Sequence, residues 1–360
     1  MLSLKPMLPK YREYKNYLKK IDNKRIYSNY GPLYLKTKNI IEKRLKLKNN
    51  SVVLTSSGDT SLYACLKYLR YKNKKKYILV PSFSFPSNIH SIINSGFKPI
   101  FLDIDPESWS VSHSEIIKEI KKNKEIGGIL IVSPFGYPIN IKSLNRLKIK
   151  SQTEIIYDAA DTFLNLKDLK NLNFFITGSF HPTKNVPGNE SGMIICKKSL
   201  EDIFKSILNF GQDEKKNVNI FGFNGKMSEY DCAILLATFK KLSKIKKKIK
   251  LLNNFIIKNV SNNSIIFQKD IGKSWLSNKV IFYSKTLGKN KIKKIFFKKK
   301  IILFNPWTGK PMHLHKFFTN YKKRSLKNTL FLSKRILGLP INYDLTNKNL
   351  KKICNTLNAI

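Results

Sequence analysis

Short apolar runs recur along this chain, each followed by small or polar residues and then a helical pattern. The runs lie at 52–55, 77–80, 98–105, 129–133, 154–161, 174–180 and 193–196. Strand-length runs separated by helix-length stretches predict an α/β fold, with a mostly parallel sheet wrapped by helices. Such sheets place their ligands beyond the carboxyl ends of the strands. The loops that follow the runs are therefore the place to look for chemistry.

The most informative loop joins the last two runs. Phe180-His181-Pro182-Thr183-Lys184-Asn185-Val186-Pro187 presents one lysine between two prolines, and a turn of small and polar residues leads to Met193. A partly desolvated amine loses its charge more easily and becomes a nucleophile toward carbonyls. In a lysine-rich chain, an ordinary surface-loop lysine reads the same way.

Three other loops carry related signals. Ser56-Ser57-Gly58-Asp59-Thr60-Ser61 follows the first run and opens a helix from Leu62, so its backbone amides could cradle a phosphate. A plain helix start needs the same residues as caps. Phe83 and Phe85 follow the second run, and either ring could lie in the core or stack on a flat ligand. Asp158 stands at the end of the 154–158 run, where a carboxylate either caps a helix or meets a ligand.

Taken together, Ser179-Phe180-x-x-Thr183-Lys184 and its turn resemble the DegT–StrS family of nucleotide-sugar aminotransferases, which use pyridoxal 5'-phosphate (PLP). Asp158-Ala159-Ala160 and Gly222-Phe223-Asn224-Gly225-Lys226-Met227-Ser228-Glu229 also resemble family motifs. The resemblance implies the fold type I PLP-dependent transferase architecture, with a seven-stranded type of sheet and a small C-terminal α+β domain. Residues 1–245 would form the large PLP-binding domain and 246–360 the small one. Lys184 would carry PLP covalently and Asp158 would pair with the pyridine nitrogen. Gly58, Thr60, the Asp59 amide and Ser179 would hold the phosphate, and Phe85 would stack on the ring. Asn224 would reach the cofactor of the neighbouring subunit in a homodimer with shared sites. Lys226 would lie near the substrate phosphates, and His313, in Pro311-Met312-His313, would line the sugar pocket or stand as a surface histidine.

Several positions depart from the family pattern, Lys226 among them, where the family has Arg. Asn189 and Ser191 replace two glycines of a Gly-Glu-Gly-Gly turn, and Asp59 stands where Thr is common. A carboxylate beside a phosphate is unfavourable, so Asp59 is expected to turn away or cap its helix. Asp161, which the resemblance makes a cofactor contact, occupies a place where the family often has Gln or His.

The implied reaction moves an amino group from an amino acid, glutamate by family habit, to a nucleotide-linked keto-deoxy sugar, as in amino-sugar, lipopolysaccharide or O-antigen biosynthesis. Two other readings within the fold are a dehydratase branch with His at the lysine position and a non-catalytic regulator that has lost Lys184 or Asp158. Both residues are present here. The formal net charge of +45 raises a nucleic-acid binder as a third reading. The lysines are scattered, in runs such as 74–76 and 298–300, without an aromatic-interleaved basic module, so no specific nucleic acid is expected. No run is long enough to span a bilayer, and the start of the chain lacks the apolar core of a signal peptide. Cys65, Cys196, Cys232 and Cys354 have mostly apolar neighbours and no metal-ligand spacing, which predicts buried thiols in a reducing cytoplasm and no metal.

Overall fold

The computed structural model describes residues 1–6 and 8–360. Seven strands build most of the large sheet. They are β1 (Asn50–Thr55), β2 (Tyr77–Pro81), β3 (Lys98–Leu102), β4 (Ile126–Val132), β5 (Glu154–Asp158), β6 (Phe175–Ser179) and β7 (Gly192–Lys197). A small sheet uses β8 (Ile265–Phe267), β9 (Ile281–Ser284) and β11 (Leu337–Gly338), while the short β10 (Lys322–Lys323) joins the edge of the large one. The large sheet runs β1-β7-β6-β5-β4-β2-β3-β10, and only β7 is antiparallel to its neighbours. The eighth, two-residue strand is an addition to the expected seven.

The strands are apolar because both faces are covered. Every residue of β1 and of β4 is buried, as expected for a parallel sheet between helical layers. The large unit contains α1 (Tyr11–Lys24), α2 (Pro32–Leu45), α3 (Gly58–Lys72), α4 (Pro86–Asn94), α5 (His113–Lys122), α6 (Ile141–Ser151), α7 (Glu201–Ile207) and α8 (Glu229–Lys240). Next come α9 (Leu242–Asn259), α10 (Lys289–Lys298), α11 (Lys327–Ser333) and α12 (Asn347–Asn358). Two helix starts carry side-chain caps. Ser57 Oγ accepts from Thr60 N at 3.0 Å, and Ser228 Oγ accepts from Asp231 N at 3.0 Å.

Glu229 does a longer-range version of the same job. Its buried carboxylate accepts from the amides of Leu33 at 2.8 Å and Tyr34 at 2.7 Å, the free donors at the start of α2. Gly31 precedes that helix because a Cβ there would meet the Glu229 carboxyl carbon at 2.9 Å. The Tyr30-Gly31-Pro32 turn is thus locked to the start of α8.

The division expected at 245/246 falls inside α9. Leu242 and Ile249 of that helix pack in the large core, whereas Leu252 and Ile256 pack against the small sheet. Residues beyond it also return to the large unit. Met312, Phe318 and Leu326 join the core on one face of the sheet, and β10 pairs with β3. All four cysteines are buried and free. Among the described residues no helix is long and apolar enough to cross a membrane.

Candidate active site

A cavity of about 510 Å³ opens at the carboxyl edge of the large sheet. Its walls come from the residues that follow β1, β2, β4, β5 and β6, which is where a parallel sheet leaves its helix N-termini and loops. The segment after β6 brings Lys184 into the wall, with its side chain about one quarter exposed. The turns that carry it are tied from behind. Asn278 Nδ2 donates to the carbonyls of Thr183 at 3.1 Å and Lys184 at 3.2 Å, while Asn185 Oδ1 accepts from Asn278 N at 2.7 Å.

The start of α3 forms another wall. The amides of Gly58 and Asp59 have no acceptor among the described residues and stand at the positive end of the helix. Close approach requires glycine twice here. A Cβ on Gly58 would sit 2.7 Å from Ser179 Cβ, and one on Gly192 would sit 2.4 Å from Ser57 O. Ser179 itself lines the cavity. The Asp59 carboxylate turns aside and accepts from Ser91 Oγ at 3.0 Å, as the expected repulsion from an anion requires. Thr60 does not reach the wall. Its hydroxyl lies 3.0 Å from Ser56 Oγ and 2.9 Å from Ser57 Oγ, and its amide serves the Ser57 cap.

Asp158 ends β5 and is 6% exposed. Its Oδ2 accepts from Asn88 Nδ2 at 2.9 Å and its Oδ1 from Ala160 N at 3.0 Å. Burial pushes its carboxyl above the ordinary carboxylate value, against the pull of Asn88 and Lys184. A cationic N–H placed against it would restore the charge. Phe85 is half exposed on the cavity, whereas Phe83 is buried against Trp307 at 4.6 Å between ring centroids. The two rings are divided between cavity and core.

Asp161 also faces the cavity and meets two lysines. Lys279 Nζ donates to its Oδ1 at 2.7 Å, and Lys184 Nζ lies 3.6 Å from its Oδ2. Burial works to raise this carboxyl, but Lys184 and Lys279 outweigh it and hold it below the ordinary range. Lys279 had no signal in the sequence, being one of many lysines far from every motif. Trp307, Thr177 and Asn88 likewise line the cavity without a motif to mark them.

Three expected residues lie elsewhere in this chain. His313 is a correction: it is 4% exposed, with Nδ1 2.6 Å from Ser82 Oγ, and it neither lines the cavity nor meets solvent. It fastens the 311–315 segment to the end of β2, where Met312 N also donates to Ser82 O at 2.9 Å. Asn224 is exposed, and its backbone bridges to Asn209. Lys226 Nζ donates to Asn209 Oδ1 at 2.7 Å and lies 5.0 Å from the Phe210 ring centroid. Neither Asn224 nor Lys226 lines the cavity of its own chain.

The sheet order, the helix start and the lysine and aspartate around one cavity belong to the architecture of fold type I PLP-dependent transferases. A Bacillus cereus protein assigned as a PLP-dependent aminotransferase has the same fold, with a TM-score of 0.91 and 26% identity over 98% of both chains. The chain belongs to the DegT/DnrJ/EryC1/StrS aminotransferase family, whose family model matches residues 11–358. It is 30% identical over 240 residues to a dTDP-4-amino-4,6-dideoxy-D-glucose transaminase from Shigella dysenteriae, covering 63% of this chain and 61% of that one. It is 23% identical over 316 residues to a GDP-perosamine synthase from Escherichia coli O157:H7, covering 84% of each. The chain thus aligns with about three fifths of the Shigella relative's length.

Proposed function

We propose that the protein is a PLP-dependent aminotransferase that takes an amino group from an amino acid, glutamate by family habit, and places it on a nucleotide-linked keto-deoxy sugar. The observation that carries this reading is the single cavity on which Lys184, Asp158 and the amides at the start of α3 converge. Sugar aminotransferase activity in the named relatives supports it.

The residues present fit the cofactor. Gly58, Asp59 and Ser179 would meet its phosphate with two free amides and a hydroxyl. Phe85 offers an exposed ring face for a flat heterocycle, and Asp158 offers a buried carboxylate for its ring nitrogen. Thr177 Oγ1, buried without a partner among the described residues, belongs to the same wall and leaves a donor for a ligand to satisfy. When bound, PLP supplies the electron sink that lets a carbon beside nitrogen lose a proton.

This chain's residues supply the rest. Asp158 holds the ring nitrogen in its charged form. Lys184 Nζ anchors the cofactor between turnovers, and when displaced it is the base and acid that moves a proton to and from the reacting carbons. Asn278 fixes the turn from which that amine works. Burial lowers the proton affinity of Lys226, and an arriving diphosphate would reverse that effect.

The same reading places residues 1–245 as the cofactor-binding portion and 246–360 as the small C-terminal portion. It also assembles the protein as a cytoplasmic homodimer in which Asn224 and Lys226 complete the partner's cavity, in a route to a surface glycan. Borohydride reduction of the PLP-loaded protein followed by peptide mapping tests the core of this proposal. The pyridoxyl label should fall on Lys184; a label on another lysine would overturn the assignment.

A further inference from the structure

Lys279 has no part in the chemistry assigned so far, yet it is one of two lysines on the cavity wall and the more buried of the two. Its side chain is 12% exposed against 23% for Lys184. A buried ammonium is costly unless its charge and protons are met. Here Lys279 Nζ donates to Asp161 Oδ1 at 2.7 Å and to Thr183 O at 2.9 Å, a complete pair at charge-assisted distance. Lys184 Nζ lies 3.6 Å from the other carboxylate oxygen, beyond that distance. Asp161 is thus hydrogen-bonded to Lys279 and in a longer ion pair with Lys184.

We propose that Lys279 is a positioning residue that occupies Asp161 and so leaves the Lys184 amine free to shed its proton and bond the cofactor. The proposal rests on Lys184 being the cofactor-bearing amine. Without Lys279, Asp161 would be a buried carboxylate with one cation in reach, and that cation is Lys184. The pair would close and hold Lys184 as an ammonium, which cannot act as a nucleophile. Burial depresses the proton affinity of Lys279, and Asp161 opposes that fall, consistent with one tight pair beside a second cation. The other charged or titratable groups around this corner are Asp158 at the end of β5, Asp59 at the start of α3, and His181 with Glu190. His181 Nε2 lies 3.2 Å from Glu190 Oε1, so those two answer each other. Asp59 is bonded to Ser91, and Asp158 to Asn88 and Ala160.

The test uses full-length protein freed of PLP and trace-acetylated with acetic anhydride across a pH series. Mass spectrometry of the peptide bearing Lys184 then reports the fraction of that amine that is unprotonated. In Lys279→Met the midpoint for Lys184 should rise by about one pH unit, the usual effect of an added close counter-charge, so labelling near neutral pH slows about tenfold. In an Asp161→Asn background, the further change Lys279→Met should raise the midpoint by clearly less, because only the direct repulsion between the two ammonium groups is then removed. Lys279→Arg should keep the wild-type midpoint. An unchanged midpoint in folded Lys279→Met would overturn the proposal. So would an equal shift in both backgrounds, which would mean simple repulsion between two ammonium groups. If circular dichroism shows Lys279→Met to be unfolded, Lys279→Gln, which keeps donors for Asp161 and Thr183 without the charge, decides in its place: its Lys184 midpoint must rise, and no change refutes the idea. A pyridoxyl label found away from Lys184 would instead sink the functional reading, and the acetylation series would still report the charge arrangement.

Discussion

Replacing Asp158 by Asn separates the charge of this residue from its shape. The carboxylate has two partners, Asn88 Nδ2 on Oδ2 and Ala160 N on Oδ1. The amide of the variant keeps an oxygen for Ala160. Its nitrogen would face the Asn88 amide nitrogen, donor against donor, until Asn88 turns over. Asn88 Oδ1 is free to accept after that turn, since its contact with Ser87 Oγ is a long 3.4 Å. The wall therefore survives and the charge is lost. An opposite charge at this range shifts the proton affinity of a neighbouring group by about one to three pH units, or ~1.4–4 kcal/mol. If the full effect falls on the step that needs a protonated ring, the rate drops about tenfold to a thousandfold. The assay is single-turnover amino transfer from glutamate, followed by the visible absorbance of the bound cofactor, with PLP content measured on the same sample. The expected result is near-stoichiometric PLP with a transfer rate down by at least tenfold. A rate within twofold of wild type at full PLP content would refute the reasoning and leave Asp158 as a structural cap.

Two further outcomes test other parts of the structure. If Asn224 acts at the partner's cavity, co-expressed Lys184→Ala and Asn224→Ala chains should form mixed dimers with one intact site and recover activity approaching half of wild type; confirmed mixed dimers without recovery would place the residue in its own chain's service. Glu201 lies within 3.0 Å of Lys38, and burial of its carboxyl is outweighed by Lys205, Ser51 and Lys38, which pull its pKa down from 4.5 to about 2. Its contribution to stability is then present above about pH 4.5 and lost as pH falls toward 2. Glu201→Gln should lower the melting temperature at neutral pH, and the gap from wild type should close on acidification; a gap independent of pH would contradict the ion-pair account.

The sheet was legible because burial on both faces of parallel strands leaves uninterrupted apolar runs, and all seven expected runs became strands. The helix after the first strand was legible because capping is local: Ser57 acts on the amide three residues away, and the helix begins at Gly58, ahead of the expected Leu62. The division of Phe83 from Phe85 was not legible from the residues alone, which left both rings open, and came only from the family resemblance. What the sequence could not display were meetings across long separations. Lys279 reaches Asp161 over 118 positions, and Glu229 reaches Leu33 over 196. Lys279 carries no mark in a chain where lysine is everywhere, and Leu33 none among so many apolar residues. His313 was left open between a pocket wall and the surface, and its burial was illegible because Ser82, 231 residues away, is what meets it.

The continuity of α9 bears on how anything enters the cavity. Eighteen residues of unbroken helix begin in one core and finish in the other. A hinge needs a few residues that can change φ and ψ freely, and the interior of an anchored helix offers none. The 311–326 segment is a second strap, pinned at Ser82 and paired with β3. Two straps anchored in both cores make the junction behave as a brace. Traffic through the cavity mouth then depends on side chains and loop tips at its rim, such as Leu4, Phe85 and Trp307, and selection among sugars is a matter of fit to a frame that already stands before the substrate arrives.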